Sequence, residues 1–243
     1  MSNDLEKAAG KQPVRLAAAK MPPNGARRRA HRNSIAIVGM SCRFPGANNA
    51  DEYWRNLRDG VESVTFYSPE ELAASGVDTS VFQNPNFVPA GSLIDGAEMF
   101  DAPFFAINPR EAESMDPQQR IFLECAWHAL EDAGYDPEKY RGAIGVYAGC
   151  AMSTYFHQLQ RNPGFVQLVG FLQTLIGNDK DYLTTHVSYK LNLKGPSVSI
   201  QSTCATSLVA VCMACQSLLS KSCDMALAGG VCIRAPQKTA VFD

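Results

Sequence analysis

Apolar residues in this chain gather into short runs separated by turn residues, and most of those runs are strand-sized. Ser34 to Met40, Ala143 to Gly149 and Asp224 to Val231 are nearly continuous apolar or small segments, the pattern of a strand buried on both faces. Ser197 to Gln201 alternates small and β-branched residues after Gly195-Pro196, which predicts another short strand. Helical spacing falls between these runs. Asp51 to Arg58 carries Tyr53, Trp54 and Leu57 on one side. A second helix has Asp116 as N-cap, Pro117 at its first position and Gln119 completing a capping box. It continues through Phe122, Ala126, Ala129, Leu130 and Ala133 and stops at Gly134. A third begins at Asn178 or Asp179 and runs to about Leu191. A fourth, from Ala205 to about Leu219, is apolar or small on nearly every face, which predicts a buried helix. Gly60 to Asn108 reads as irregular chain, and 151–177 as a mixed segment. Strands alternating with helices define an α/β domain whose sheet is covered on both faces.

One residue stands at the junction of the last strand and helix pair. Cys204 lies in the small-residue turn Ser202-Thr203-Cys204-Ala205-Thr206-Ser207, at the N-terminus of the apolar helix. The first N–H groups of a helix lack partners within it, and its dipole favours negative charge there. Thiolate is the nucleophilic form of cysteine. The same N–H groups can polarise a carbonyl that the sulfur attacks. A buried cysteine is also commonly a small apolar filler, so position alone leaves both roles open.

Composition narrows the classes. The 243 residues are 46% apolar and 19% charged, as in an ordinary globular protein, and the net charge is −2. Residues 1–34 hold eight Lys and Arg against Asp4 and Glu6, a local +6 that leaves −8 for the remainder. That segment, broken by Pro13, Pro22, Pro23 and Gly25, reads as a flexible basic tail or linker, with 35–243 forming the domain. Nucleic-acid and membrane partners find no support, since there is no global basic field and no apolar run of about 20 residues. Met1 to Gly10 is polar and does not read as a secretory signal. Eight spread cysteines then suggest free thiols in a reducing compartment, and a cytoplasmic location. Cys212, Cys215, Cys223 and Cys232 make a loose four-cysteine set, but two of them fall inside an apolar helix rather than a zinc knuckle, so no metal is expected. Neither a G-x-G-x-x-G turn nor a phosphate loop follows the first strand, which leaves nucleotide binding unsupported.

Several segments together carry a family resemblance. They are Ile35 to Gly46 (IAIVGMSCRFPG), Met115 to Arg120 (MDPQQR), Ala129 to Tyr135 (ALEDAGY), Gly177 to Tyr182 (GNDKDY) and Val187 to Ser197 (VSYKLNLKGPS). From about Ser34 to Gln237 the chain resembles the N-terminal half of a β-ketoacyl synthase, the ketosynthase domain of modular type I polyketide synthases. Gln201-Ser202-Thr203-Cys204-Ala205-Thr206-Ser207 stands where that family carries Asp (or Gln)-Thr-Ala-Cys-Ser-(Ser or Thr)-Ser. Cys204, Thr206 and Ser207 match, while Ser202, Thr203 and Ala205 depart but stay small. The resemblance implies a thiolase-like fold, here its first half: a mixed five-stranded sheet with helices on both faces. It implies a homodimer joined along the strand at about Ser197 to Gln201. It implies that Cys204 takes an acyl group from an acyl carrier protein and passes it to the carbanion of a decarboxylated malonyl-type carrier. Phosphopantetheine arrives on the carrier; the domain itself holds no cofactor. Met152 to Gly177 then lines the acyl channel or the dimer interface.

The family also uses two histidines downstream of its cysteine. His31, His128, His157 and His186 all precede Cys204, so no catalytic histidine is assigned. The expectation is therefore a chain lacking the C-terminal ketosynthase half. It belongs to a longer condensing enzyme, or acts as a non-condensing structural or dimerisation module, or accepts an acyl group on Cys204 without condensing it. A cysteine hydrolase requires His157 or His186 beside the thiol, and the spacing puts His186 on the surface of its helix.

Overall fold

A computed structural model describes residues 34–238 and 241–242. The basic segment expected over 1–34 lies, apart from Ser34, outside the described residues, as does His31. From Ala36 onward the chain forms one unit.

Helix α1 (Ala50–Asp59) starts at Asn49, whose side chain accepts from the Glu52 N–H. The irregular region that follows contains β1 (Thr65–Phe66), α2 (Pro69–Ala74), β2 (Phe87–Val88) and β3 (Ala90–Gly91). Short α3 (Pro109–Ser114) leads into the long helix α4 (Pro117–Asp132), and β4 (Ile144–Cys150) follows. The mixed segment resolves into three short helices, α5 (Thr154–Gln160), α6 (Pro163–Val169) and α7 (Phe171–Ile176). Then come α8 (Leu183–Lys190), β5 (Ser197–Ser199), α9 (Thr206–Leu219), β6 (Met225–Val231) and β7 (Val241–Phe242). Strand β1 pairs with β3 and β2 with β7, both antiparallel.

The centre is a parallel sheet in the order β5-β4-β6. Every residue of β4 is buried, so its alternation serves two layers. Ile144, Val146, Ala148 and Cys150 pack with Phe122, Leu123, Ala126 and Leu130 of α4 and with Leu183 and Val187 of α8. On the opposite face Tyr147 packs with Ala210 and Ala214 of α9. A helix on each side of a parallel strand is what its continuous apolar run requires.

Three expectations need correction. The sheet expected with five strands has three among the described residues, and one run read as a strand, Ser34 to Met40, forms none. Among the described residues strand β6 has one neighbour, β4, and Gly39 and Met40 reach the end of α4 instead. There a Cβ on Gly39 would sit 2.4 Å from the Ala129 carbonyl oxygen, and the Met40 N–H donates to Asp132 Oδ2 at 2.8 Å. A strand needs a neighbour for its N–H and C=O groups, and among the described residues this segment has none beside it, leaving Ile37 85% exposed. Second, Asp116 caps α4 by accepting from the Gln118 N–H, but no capping box forms: Gln119 turns away to donate to the carbonyls of Ile176 and Asp179. Third, α9 is covered on one face only. Ala210, Ala214 and Ser217 are buried, whereas Leu208 (67% exposed), Val211, Cys212 and Leu219 stand open in a stripe. An all-round apolar helix has a second face for which the described residues supply no cover.

Candidate active site

All three strands of the parallel sheet end on the same side, and the chain leaving β5 crosses that end before entering α9. The Ile200 N–H donates to the Ala148 carbonyl at 2.8 Å, which extends the β5–β4 ladder by one bond. The turn then tightens into a single 3-10 turn, Thr203–Ala205, and passes directly into α9. The Ala205 N–H donates to the Ser202 carbonyl at 3.0 Å. Thr206 locks the turn from within: its Oγ1 accepts from the Ser202 N–H at 2.8 Å and donates to the Thr203 carbonyl at 2.9 Å. This explains why a threonine at that position suits the turn.

Cys204 sits in the middle of this turn and is exposed. No side chain caps the 3-10 turn or α9, whose N-cap position is Ala205. The first N–H groups of a helix are the ones a side chain would ordinarily satisfy. Here the preceding 3-10 turn supplies partners instead: the Ala205 N–H donates to the Ser202 carbonyl and the Thr206 N–H to the Thr203 carbonyl. Thr203 adopts φ +47°, a left-handed conformation that costs a β-branched residue of the order of 1–2 kcal/mol. Strain of this kind concentrates at functional turns.

The turn is held from beneath by glycine. A Cβ on Gly149 of β4 would lie 1.9 Å from the Ile200 carbonyl oxygen and 2.6 Å from Thr206 Cγ2. Only glycine lets the strand approach so closely. One Cβ on Gly230 of β6 would be 3.3 Å from Ser207 Cβ. Strands β4 and β6 therefore both bear on the segment that presents Cys204.

Histidines stand elsewhere. His128 and His157 are exposed on α4 and α5. His186, expected on the surface, is packed between α8 and α4, its Nδ1 3.1 Å from Gln119 Oε1. Burial, with a smaller contribution from Lys190, pushes its pKa down to about 4. It is a neutral packing residue engaged with α4, not a base turned toward the thiol. The buried thiol at the end of β4, Cys150, is pushed up to about 12 chiefly by burial and so stays protonated. Among the described residues no three His, Cys, Asp or Glu side chains gather in a way that could hold a metal ion. No described helix is long and apolar enough to cross a membrane.

A buried polar cluster that sequence reasoning passed over lies behind the strand ends. Gln118, 1% exposed, accepts on Oε1 from the N–H groups of Ala151 (3.1 Å) and Ile233 (3.3 Å). Its Nε2 donates to Asp116 Oδ2 and to the Ala151 carbonyl, each at 3.2 Å. Asp116 is itself buried, and that burial raises its carboxyl above the usual range despite bonds from Ser153 and Gln118. The Met115 to Arg120 segment was legible as a motif, but its amides read only as helix start.

Residues 32–243 match the family described as "Beta-ketoacyl synthase, N-terminal domain", and the chain belongs to that family. Its relatives are polyketide synthases. It is 46% identical over 217 residues to a phenolphthiocerol/phthiocerol polyketide synthase polypeptide of Mycobacterium tuberculosis, covering 86% of this chain and 15% of that protein. It is 40% identical over 205 residues to polyketide synthase PksN of Bacillus subtilis, covering 84% and 4%. Ketosynthase twelve of the bacillaene polyketide synthase from Bacillus amyloliquefaciens superposes with a TM-score of 0.75 at 39% identity, covering 87% of this chain and 37% of that one. The fold is thus the N-terminal half of the thiolase-like ketosynthase fold. The chain spans well under half the length of these relatives.

Proposed function

We propose that this chain is the nucleophile-bearing half of a polyketide-synthase ketosynthase, and that Cys204 is its acyl acceptor. One observation carries the reading: an exposed thiol at the N-terminus of α9, on a turn that matches the family's cysteine motif. Cys204 Sγ attacks the carbonyl carbon of an acyl thioester carried on the phosphopantetheine of an acyl carrier protein. The carbonyl oxygen gathers negative charge at the positive end of the α9 dipole. The carrier thiol leaves with a proton, and the acyl group remains on Cys204. Decarboxylation of a malonyl-type carrier then supplies the carbanion that takes this acyl group, releasing the sulfur. That second step draws on two histidines that belong, by the family resemblance, to sequence downstream of Cys204. The full condensing function is therefore assigned to the complete ketosynthase, a cytoplasmic acyltransferase without a cofactor of its own.

The open stripe on α9, Leu208, Val211, Cys212 and Leu219, is the face on which the C-terminal half rests. Strand β5 pairs only with β4 among the described residues, so its free edge is available to a second copy, as expected for a homodimer. Met152, Leu168, Phe171 and Leu172 expose further apolar surface in the segment assigned to the acyl channel or dimer contact.

The test uses a small acyl thioester such as the acetyl thioester of N-acetylcysteamine, followed by intact mass and peptide mapping. Cys204 gains one acetyl group, and Cys204→Ala gains none. Equal acylation of the other exposed cysteines, Cys212 and Cys232, or undiminished uptake by Cys204→Ala, refutes the assignment.

A further inference from the structure

The cysteine turn is held in place by contacts that do not touch it directly. Strands β4 and β6 run side by side from Ile144↔Met225 to Cys150↔Val231, and beyond that register the ladder adds one bond, from the Ala151 N–H to the Val231 carbonyl at 3.1 Å. Past this point the two chains have to part, β4 toward α5 and β6 toward the loop before β7. Gln118 spans the parting. A single oxygen, Oε1, accepts from one N–H of each chain, from Ile233 and from Ala151, whose N–H it shares with the Val231 carbonyl, while Nε2 fastens the amide to Asp116 and to the Ala151 carbonyl. The side chain reaches there from the first turn of α4 and is almost wholly buried. A buried amide with all of these partners met has one orientation, and it holds both chain ends to one helix.

The consequence runs two residues back along β4 and three back along β6. Gly149 presses on the Ile200 carbonyl and Thr206, and Gly230 on Ser207, with no spare room at either contact for so much as a methyl group on Gly149. Surfaces packed that closely move together. Displacing the ends of β4 and β6 therefore displaces the N-terminal turn of α9, and with it the thiol and the positive end of the helix dipole. We propose that Gln118 is a positioning residue for Cys204: by tying the ends of β4 and β6 to α4, it fixes the thiol and the α9 N-terminus in the geometry that acyl transfer requires. This deepens the acyl-acceptor reading and rests on it. Gln118 touches neither thiol nor substrate.

Two reactions of the same sulfur separate positioning from folding. Alkylation by iodoacetamide needs only an accessible thiol, whereas acylation by a thioester also needs the helix N-terminus aimed at the developing oxyanion. In Gln118→Leu, acylation of Cys204 by the N-acetylcysteamine thioester falls about ten-fold, while its alkylation changes less than about two-fold. Buried Cys223 serves as the folding reporter and stays unalkylated in the native variants. If Gln118→Leu exposes Cys223, then Gln118→Asn, polar but one methylene too short to span both chains, takes its place with the same expected loss. Two outcomes overturn the proposal: acylation unchanged in Gln118→Leu and Gln118→Asn; or acylation and alkylation falling in parallel. A parent chain that takes no acyl group at all, yet alkylates normally at Cys204, refutes the acyl-acceptor reading itself, and the positioning role falls with it.

Discussion

Gly149→Ala tests how tightly the sheet and the cysteine turn are joined. The added Cβ would stand 1.9 Å from the Ile200 carbonyl oxygen, where ordinary contact begins at 3.4 Å, so the two backbones have to separate by about 1.5 Å. Neither can yield by a rotamer change. Gly149 is locked in the ladder to Gly230, and Ile200 donates its own N–H to Ala148 one residue away. Overfilling a packed interior costs typically 1–3 kcal/mol, and a clash between two backbones belongs at about 3 kcal/mol. In a domain of this size that corresponds to a fall in Tm of about 6–12 °C. The movement also carries the turn that holds Cys204. A misplacement of about 1 Å can lower a positioned reaction by about 100-fold, so thioester acylation falls by about two orders of magnitude. Thermal or urea unfolding measures the first quantity, and mass-resolved acylation kinetics the second. Gly164→Ala is the matched control: it lies within α6, and its Cβ meets only Asn162 Oδ1 at 3.7 Å. It should be neutral or stabilising by up to about 1 kcal/mol. If Gly149→Ala destabilises by less than about 1 kcal/mol and acylates normally, the strand and turn are not coupled as described.

Two other residues give independent checks. His186 has a folded pKa of about 4, below its ordinary 6.5, so the unfolded chain binds the proton more readily. Its contribution is present above pH 6.5 and is lost as pH falls toward 4, amounting to about 2 kcal/mol between pH 7 and pH 5. Urea unfolding at the two pH values should show that loss in the parent chain and its absence in His186→Gln; equal slopes in both would place the pH sensitivity elsewhere. Thr203 holds φ +47°, which asparagine tolerates far better, so Thr203→Asn should raise stability by roughly 1 kcal/mol. A loss of stability in that variant would mean that the threonine side chain contributes more than its backbone conformation costs.

Much was legible in the order of residues alone, because period and punctuation are local. The runs at Ala143 to Gly149 and Asp224 to Val231 announce strands buried on two faces, and they appear as β4 and β6 within one residue at either end. Gly195-Pro196 and the small-residue turn mark the entry to α9 and put Cys204 at its start. What required the third dimension is what depends on neighbours distant in sequence. Ser34 to Met40 reads as a strand, yet a strand exists only beside another, and no described strand lies next to it; Gly39 and Met40 meet the end of α4 instead. Gln119 looked like half of a capping box, but the Asp116 N–H is taken by the Gly177 carbonyl, and Gln119 donates to the carbonyls of Ile176 and Asp179. The all-apolar helix α9 announces burial without saying by what, and only half of its surface is met by the sheet. Gln118 carries no periodic signal at all. Its importance comes from two amides, 33 and 115 residues away, that only folding brings to one oxygen. Sequence set which residues could be strand, helix and nucleophile; tertiary structure decided which surfaces meet, since hydrogen-bond partners and close contacts are properties of space rather than of order along the chain.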